Sequence, residues 1–336
     1  MLYVKPPSTD AAFHFSAEAY FIEQFPLKEP LFMIWQGDRC AMLGAYQVAQ
    51  AEVDLQYVRK QNIQIVRRQS GGGTIYTDMG TLLYTLILPY TEGSAPLDMV
   101  RDAFAAPMIR ALNKLGIPAA LEGRNDILVA GKKVCGIAQH VRKGWVCSHG
   151  SLLYDADLDM LTAALRVDPD KIQSKAIRSI RSRVTNLREH MPNPVSTPEF
   201  WALLEEKLAE EWPMQPYTLA ETDLAEITKI HHAKFAHDDW TFGRAPSFSW
   251  SNSRRYPGGK VEVFLDIAKG GTITEAAIRG DFLGTVPIQD LEATLEGQLF
   301  RRKPIAEALE NVDLRPYLGG ISKDELLSCL FDEATP

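Results

Sequence analysis

Apolar residues recur along the chain with two periods, which predict helices alternating with strands. Spacing of three or four positions predicts helices over residues 16–25, 51–62 and 97–116. Runs rich in β-branched and aromatic residues predict strands over residues 31–37, 40–46, 63–70 and 81–89. We expect Ser16 to cap the first helix, Gly37–Asp38 to form a turn between two strands, and Pro107 to kink the third helix.

The second half of the chain begins with a strand meander and ends in a separate unit. Residues 125–155 predict a meander with turns at Ala130–Gly131 and Lys143–Gly144. Helical spacing returns over residues 157–166, 198–212, 220–240, 288–300 and 303–312. Residues 241–260 are rich in Gly, Pro, Ser and Asn and predict a linker, and residues 260–282 predict a second meander. We therefore expect two domains, residues 1–245 and 246–336.

Composition excludes several classes of protein. The 336 residues carry a net charge of −7, which argues against a general nucleic-acid binder. No run approaches the roughly 20 apolar residues of a membrane helix, and the N-terminus has no secretory pattern. Four scattered cysteines predict neither a zinc cluster nor a disulfide scaffold. We expect a cytoplasmic, monomeric protein without a nucleic-acid or membrane partner.

The segment "RRQSGGGTIYTD", residues 67–78, carries the first chemical signal. It lacks the lysine and the following helix of a P-loop, and it lacks the spacing of a dinucleotide fingerprint. A plain glycine-rich turn would not need the arginines and serine beside it. Bare glycine amides form donor sites for anions, and a guanidinium binds phosphate through paired hydrogen bonds. The segment therefore predicts a loop that wraps a phosphate-bearing ligand.

Five segments in order resemble the lipoate–protein ligases of the biotin/lipoate ligase superfamily. They are "RRQSGGGTIYTDMGTLLYT", "GRNDILVAGKKVCGIAQ", "SHGSLLYDADLDML", "SIRSRVTNL" and, near the C-terminus, "GDFLG" with "LEGQLFRRKPIAEAL". The resemblance implies an α+β fold: a mixed sheet with helices like that of class II synthetases and biotin ligases, plus a small α+β accessory domain. It also implies a ligase that joins lipoate to ATP, with Mg²⁺, and passes the lipoyl group from lipoyl-AMP to a lysine of a carrier. That carrier would be an E2 lipoyl domain or a glycine-cleavage H-like protein.

The resemblance also assigns roles to single residues. Lys133 aligns with the essential lysine, which neutralises carboxylate and phosphate oxygens, whereas its neighbour Lys132 is expected to face solvent. Asp126 is the candidate Mg²⁺ ligand, as a lone carboxylate suits this ion. The candidate substrate- and nucleotide-binding residues are Trp35, Arg68, Ser70, Gly71, Gly72, Gly73, Tyr76, Asp78, Asn125 and His149. Arg67 is expected to point outward.

Three arginines, Arg178, Arg181 and Arg183, form a basic cluster on an otherwise acidic chain. Because lipoyl carriers are typically acidic, we expect this cluster to orient carrier docking. The chain departs from the family pattern at Val48, Thr77, Thr81 and Ser148, several of which we expect near the ligand.

Two alternatives stay open at this level. Cys135 lies where the ligases usually have serine, and related octanoyl and lipoyl transferases use a cysteine that forms a thioester. A strand would place Cys135 on the same face as Lys133, which could lower the pKa of the thiol. A non-catalytic lipoate-binding protein is the other alternative.

Overall fold

The computed structural model describes residues 1–90, 100–123, 125–166, 180–242 and 248–331. Its strands are Leu2–Val4 (β1), Leu31–Trp35 (β2), Cys40–Leu43 (β3), Gln64–Arg67 (β4), Ile75–Thr77 (β5), Thr81–Pro89 (β6), Ala119–Glu122 (β7), Asp126–Val129 (β8), Lys132–Arg142 (β9), Trp145–Leu153 (β10), Gln215–Tyr217 (β11), Trp250–Tyr256 (β12), Gly259–Ile267 (β13) and Ile273–Gly280 (β14).

Its α-helices are Ala11–Glu23 (α1), Ala49–Glu52 (α2), Leu55–Lys60 (α3), Ala106–Lys114 (α4), Leu158–Ala164 (α5), Ile180–Arg183 (α6), Thr197–Ala209 (α7), Glu221–Ile230 (α8), Asp238–Phe242 (α9), Gln289–Leu295 (α10), Arg302–Ala308 (α11), Arg315–Leu318 (α12) and Lys323–Phe331 (α13). Val100–Ala105 and His231–Phe235 are π-helical, and Leu187–His190 is a 3₁₀ turn.

The central layer is an eight-stranded mixed sheet in the order β11-β1-β2-β6-β10-β9-β8-β7. Strand β1 runs parallel to both of its neighbours, and the pairs from β2 to β7 are antiparallel. A small sheet, β4-β3-β5, and a C-terminal meander, β12-β13-β14, complete the strands. The predicted mixed-sheet α+β fold with an α+β C-terminal unit is confirmed.

The tight turns of the central meander form where the sequence predicted them. Ala130, Gly131, Lys143 and Gly144 all have positive φ, between 49° and 74°. Two consecutive left-handed residues match the right-handed twist of a hairpin. The turns fix the register of β8, β9 and β10, and so place the residues of "GKKVCG" beside β8.

Several predicted elements differ from the structure. Helix α1 begins after Asp10, whose carboxylate accepts the Ala12 N–H at 2.9 Å; Ser16 lies inside the helix. The predicted helix over residues 51–62 is two helices, because Asp54 interrupts the first and caps the second. Asp54 is therefore a helix start that helical spacing alone did not reveal.

Other differences concern connections. Strands β2 and β3 both form, but they belong to different sheets. The predicted helix over residues 97–116 is described only from residue 100, where a π-helical turn leads into α4 with Pro107 in its first turn. The predicted linker contains strand β12, and the predicted domain boundary near residue 245 lies outside the described residues.

Candidate active site

A cavity of about 610 Å³ lies between the central sheet, the glycine segment and the C-terminal unit. Its apolar walls come from buried side chains of α1 and of strands β2, β3 and β6: Phe15, Trp35, Met42 and Leu83. Its polar walls include Asn125, Asp126 and Lys133. The volume is within the range of small-molecule sites, and the division into an apolar and a polar part suits an amphipathic ligand.

Lys133 and Asp126 form an ion pair on the cavity wall. Lys133 Nζ lies 2.8 Å from Asp126 Oδ1, and each side chain is about a third exposed, at 36% and 35%. The two residues lie on the paired strands β9 and β8, whose register shifts at Ile127–Leu128. The cavity thus holds an ammonium that a carboxylate orients without removing it from solvent. Lys132 is exposed, as expected.

The glycine segment is fixed from inside by Arg68. Its guanidinium donates to the carbonyl oxygens of Met42 (3.1 Å), Gly71 (2.7 Å) and Gly73 (2.9 Å), and its Nε donates to Ser70 Oγ (3.0 Å). Burial lowers the pKa of Arg68 to about 10, which still leaves it charged at neutral pH. Arg68 therefore shapes the loop as well as lining the cavity.

The three glycines differ in position. Gly72 and Gly73 line the cavity, and Gly73 is exposed. Gly71 does not line it: a Cβ there would lie 2.5 Å from the Phe282 carbonyl oxygen, so this glycine makes room for the C-terminal unit. Gly72 has φ of +86°, which favours glycine, and its N–H donates to the same Phe282 oxygen at 3.1 Å. The glycine segment therefore lets the backbone of the C-terminal unit approach closely at Gly71 and Gly72, and it lines the cavity with Gly72 and Gly73.

The expectation that Arg67 points outward is wrong. Its side chain is completely buried and donates to the carbonyl oxygens of Gly44 (2.7 Å), Gln47 (2.7 Å) and Thr241 (2.6 Å). A guanidinium carries five donors in a fixed plane, which suits a site where two chain segments converge. Arg67 therefore ties the residues after β3 to those of α9.

A buried hydrogen-bonded chain runs from the glycine segment to α1. Ser70 Oγ lies 2.6 Å from His149 Nε2, and His149 Nδ1 lies 3.2 Å from Glu18 Oε1. Thr85 Oγ1 donates to the same Glu18 oxygen at 2.6 Å. Burial raises the pKa of Glu18, but the His149 interaction and the Thr85 hydrogen bond outweigh it, and the net pKa lies below its usual value. His149 and Ser70 are thus brought together, although Ser70 itself does not line the cavity.

Glu18, His149 and Cys147 are also the described residues closest to a metal-binding arrangement. One donor atom of each lies within 4.8 Å of the others. The carboxylate of Glu18 and the ring nitrogens of His149 are already engaged in hydrogen bonds. Burial raises the pKa of the Cys147 thiol, which disfavours the thiolate that would bind a metal. The group is therefore explained as hydrogen-bonded core.

The remaining candidates divide between the cavity and other sites. Trp35 lines the cavity, and its ring stacks on that of His14 with 3.9 Å between the ring centroids. Tyr76 and Asn125 line it too, and Asn125 Nδ2 donates to the Ile137 carbonyl at 2.6 Å. Asp78 does not: its carboxylate accepts the backbone N–H groups of Gly80 and Asp157, both at 2.9 Å, outside this cavity. It stabilises a turn and the start of α5.

The arginine cluster is only partly described. Arg178 lies outside the described residues, and of Arg181 only the backbone is described. Arg183 is exposed and lines the cavity. Among the described side chains of the predicted cluster, that of Arg183 lies at the cavity.

Cys135 lines the cavity, but its surroundings do not activate it. The thiol is buried, with Sγ 3.5 Å from the Tyr84 hydroxyl, and burial raises the pKa of Cys135 to about 12 despite the nearby Lys133 charge. A nucleophilic cysteine needs the opposite shift. The raised pKa thus disfavours the thiolate that a transferase would use.

The four departures from the family pattern do not contribute to the lining of the cavity: Thr77, Thr81 and Ser148 are buried, and Val48 does not line it either. Thr77 and Ser148 follow or precede the lining residues Tyr76 and His149 in the chain, so the expectation that several departures lie near the ligand stays a prediction.

Several residues of this site were not predicted from the sequence, among them Phe15 of α1 and Arg255, Asp281 and Leu283 of the C-terminal unit. Glu18 of α1, in the buried chain beside the cavity, was not predicted either. Glu18 had a visible signal, since it is an acidic residue within the apolar stretch "AAFHFSAEAYFI". Arg255 had none, because only the folded structure places it at the cavity.

Comparison with known proteins agrees with this arrangement. Residues 10–209 match the family model "Lipoyl protein ligase A/B catalytic domain", and residues 245–330 match "Bacterial lipoate protein ligase C-terminus". The chain is 34% identical over 325 residues to lipoate-protein ligase LplJ of Bacillus subtilis, covering 96% of this chain and 97% of the relative. It is also 34% identical over 319 residues to lipoate–protein ligase 1 of Staphylococcus aureus, covering 95% and 96%.

Solved structures give the same fold. P. falciparum LipL1, in complex with lipoate, superposes with a TM-score of 0.77 at 20% identity, covering 93% of this chain and 94% of that one. A bi-partite lipoate protein ligase from Thermoplasma acidophilum, studied with its E2 lipoyl domain, gives 0.63 at 27% identity, covering 74% and 98%. A lipoate-protein ligase A bound with ATP gives 0.62 at 26% identity, covering 72% and 98%.

Among the described residues, no helix has the length and apolar character to span a membrane. With its two matched segments and its near full-length relatives, the chain belongs to the lipoate–protein ligase family.

Proposed function

We propose that the protein is an ATP-dependent lipoate–protein ligase that forms lipoyl-AMP and transfers the lipoyl group to a lysine of a carrier domain. The observation that carries the proposal is the Lys133–Asp126 pair, at 2.8 Å, on the wall of a cavity with apolar and polar parts. The apolar part would bury the acyl chain and dithiolane. Burying ~250 Å² of apolar ligand at ~25 cal/mol/Å² contributes roughly 6 kcal/mol before the costs of binding.

In the first half-reaction the lipoate carboxylate attacks the α-phosphorus of ATP, and pyrophosphate leaves. In the second, the neutral amine of the carrier lysine attacks the acyl carbon, the bond from that carbon to the phosphate oxygen breaks, and AMP leaves while the nitrogen releases a proton to solvent. Both steps build negative charge on oxygen atoms, and a preorganised ammonium in a partly buried site stabilises such charge. We assign this role to Lys133, which Asp126 orients.

Gly73, the exposed glycine of the loop, would donate a hydrogen bond from its N–H to the α-phosphate. Arg68 already fixes the loop conformation that this contact needs. Asn125, Trp35, Tyr76 and the other cavity residues would position the two substrates.

The carboxylate of Asp126, beside Lys133 on the cavity wall, is a hard oxygen donor of the kind that Mg²⁺ takes together with phosphate oxygens. Asp126 would hold the ion, which when bound would neutralise phosphate oxygens and so favour attack. Lys133 would neutralise the oxygens of the substrate that lie beside it.

The test is lipoate-dependent ATP–pyrophosphate exchange with wild-type protein, Lys133→Ala and Cys135→Ser. We expect exchange by the wild type, a loss of at least about 100-fold with Lys133→Ala, as for other groups that stabilise developing charge, and retention with Cys135→Ser. Absence of exchange in the wild type would refute the ligase. A transferase would instead lose acyl transfer in Cys135→Ser and show no exchange, and a binding protein would bind lipoate and do neither.

We further propose that the carrier docks at the cluster of Arg178, Arg181 and Arg183, of which Arg183 lines the cavity. The double variant Arg178→Glu, Arg181→Glu should raise the KM for an acidic carrier domain while leaving pyrophosphate exchange unchanged. Because exposed charges act over about 8–10 Å at physiological salt, the effect should weaken as salt is added. Unchanged carrier kinetics would contradict the docking site.

A further inference from the structure

The C-terminal unit contributes side chains to the cavity. Arg255 on β12, together with Asp281 and Leu283 just after β14, lines the same cavity as Lys133 and Asp126. These residues follow Lys133 by more than 120 positions in the chain. In this arrangement the cavity therefore has walls from both parts of the protein.

The C-terminal unit is held at the cavity by backbone hydrogen bonds. Gly72 N–H donates to the Phe282 carbonyl at 3.1 Å, and Val141 N–H donates to the Thr285 carbonyl at 2.7 Å. The Tyr46 ring stacks on Phe282, with 5.0 Å between centroids. These contacts fix residues 281–285 against the glycine segment and so place Asp281 at the cavity edge.

Asp281 in turn orients Arg255. Arg255 Nη1 lies 3.1 Å from Asp281 Oδ2 and 3.4 Å from Oδ1, and the Lys260 N–H donates to Asp281 Oδ1 at 2.5 Å. The side chains are 26% and 16% exposed, so the pair is sheltered but in reach of the cavity. A carboxylate anchored by a backbone amide presents the planar guanidinium in a set direction.

We infer that Arg255 binds the β- and γ-phosphates of ATP during formation of lipoyl-AMP, and that Asp281 is its positioning residue. The inference rests on the proposed function. In that step an oxygen of the lipoate carboxylate bonds to the α-phosphorus, and the bond from the α-phosphorus to the bridging oxygen breaks. The electron pair of the broken bond leaves with pyrophosphate, whose charge a guanidinium stabilises through paired hydrogen bonds.

Among the described residues, four other cations line the cavity; of these, Arg166 donates to the Gln50 carbonyl oxygen at 3.0 Å and Arg183 belongs to the proposed docking cluster. The Arg68 guanidinium serves the carbonyl oxygens of the glycine segment, and Lys133 is one ammonium for the carboxylate and the α-phosphate. Pyrophosphate is absent from the second half-reaction, which starts from lipoyl-AMP. Arg255 should therefore act in adenylation and not in acyl transfer.

The experiment compares full-length wild-type protein with Arg255→Ala, Arg255→Lys and Asp281→Asn. Arg254→Ala is the matched control, since Arg254 is the adjacent arginine on β12, does not line the cavity and donates to Ser328 Oγ at 3.2 Å. Two activities are measured for each protein: lipoate-dependent ATP–pyrophosphate exchange over a range of ATP and lipoate concentrations, and transfer from prepared lipoyl-AMP to a lipoyl domain.

We expect Arg255→Ala to lower kcat/KM for ATP in the exchange by about 10- to 100-fold, the range for a hydrogen bond to a charged group. Arg255→Lys should fall between it and the wild type, because lysine keeps the charge but not the paired geometry. Asp281→Asn should raise KM for ATP without changing KM for lipoate, which a general loss of structure would not do. Transfer from lipoyl-AMP, and both activities of Arg254→Ala, should stay within about twofold of wild type.

Exchange by Arg255→Ala equal to that of the wild type would overturn the inference, and so would an equal fall in exchange and transfer. Both outcomes leave the ligase assignment intact, because the wild type still exchanges. If the wild type itself gives no exchange, the proposed function is refuted and this inference falls with it.

Discussion

Replacement of the buried carboxylate of Glu18 by an amide tests whether the hydrogen-bonded chain beneath the cavity stabilises the fold. The side chain is 1% exposed, and Oε1 accepts from Thr85 Oγ1 at 2.6 Å while both carboxylate oxygens lie 3.2–3.3 Å from His149 Nδ1. In Glu18→Gln one oxygen becomes an NH₂ group, so a buried donor lies where an acceptor was. An unsatisfied buried donor costs about 1–3 kcal/mol.

The expected change in melting temperature follows from this cost. Unfolding entropy of ~2.1 cal/mol/K per residue gives about 0.7 kcal/mol/K for 336 residues, so about 2 kcal/mol lowers Tm by about 3 °C. Differential scanning calorimetry at pH 7 measures it. The control is Glu23→Gln at the end of the same helix, where the carboxylate meets Arg142 at 2.6 Å in a pair that is 25% and 44% exposed. Exposed pairs contribute up to about 1 kcal/mol, so Tm should fall by little more than 1 °C.

The same variant has a pH signature whose sign is fixed by the structure. The pKa of Glu18 lies below its ordinary value of 4.5: burial raises it, but the His149 interaction and the Thr85 hydrogen bond outweigh that effect. Ionised Glu18 therefore stabilises the fold above about pH 4.5, and this contribution is lost as the pH falls through the lower folded-state pKa. The Tm difference between wild type and Glu18→Gln should be full at pH 6–7 and shrink below pH 4.5. A difference under 1 °C at pH 7, or one that is equal at pH 4 and pH 7, would refute the reasoning.

Two further substitutions test the glycine segment and its support. Gly72→Ala should abolish most pyrophosphate exchange and destabilise the protein by more than Gly131→Ala. Both glycines have positive φ, but a Cβ at position 72 would lie 3.1 Å from Arg68 Nη2, whereas a Cβ at position 131 would meet open space. Equal losses of exchange and of Tm in the two variants would contradict this prediction. In Arg67→Lys the side chain keeps its charge but cannot reach all the carbonyl partners at once, so urea unfolding should show a free energy of unfolding lower by about 2–4 kcal/mol. A decrease under 1 kcal/mol would show that Arg67 does not tie the two segments together.

Local chemistry explains which elements the sequence predicted correctly. The meander of β8, β9 and β10 was predictable because each of its turns, Ala130–Gly131 and Lys143–Gly144, contains a glycine with positive φ, and glycine marks such turns in a sequence. The break between α2 and α3 was not, because it depends on Asp54 accepting the N–H groups of Gln56 and Tyr57. Helical spacing is the same on both sides of such a break.

The site shows the same division. Lys133, Asp126 and the glycines occur in short motifs, so their proximity in space could be expected from the resemblance alone. Strand β12 was hidden within a segment rich in Gly, Ser and Asn, and the position of Arg255 depends on the docking of Phe282 against Gly72. Such a contact between distant parts of the chain leaves no periodic pattern in either part.

The hydrogen bond between Gly72 and Phe282 also limits how the glycine segment can bind a ligand. One N–H cannot donate fully to a carbonyl of the C-terminal unit and to a phosphate oxygen at once. While residues 281–285 remain docked, Gly73 is the exposed glycine of the segment at the cavity, and we propose that its N–H is the one that the segment offers to the α-phosphate. The proposed phosphate site thus combines one loop amide, the Lys133 ammonium and the Arg255 guanidinium, which are donors from three separate segments. Phosphate binding at this cavity should therefore depend on the C-terminal unit even though the glycine-rich motif lies wholly outside it.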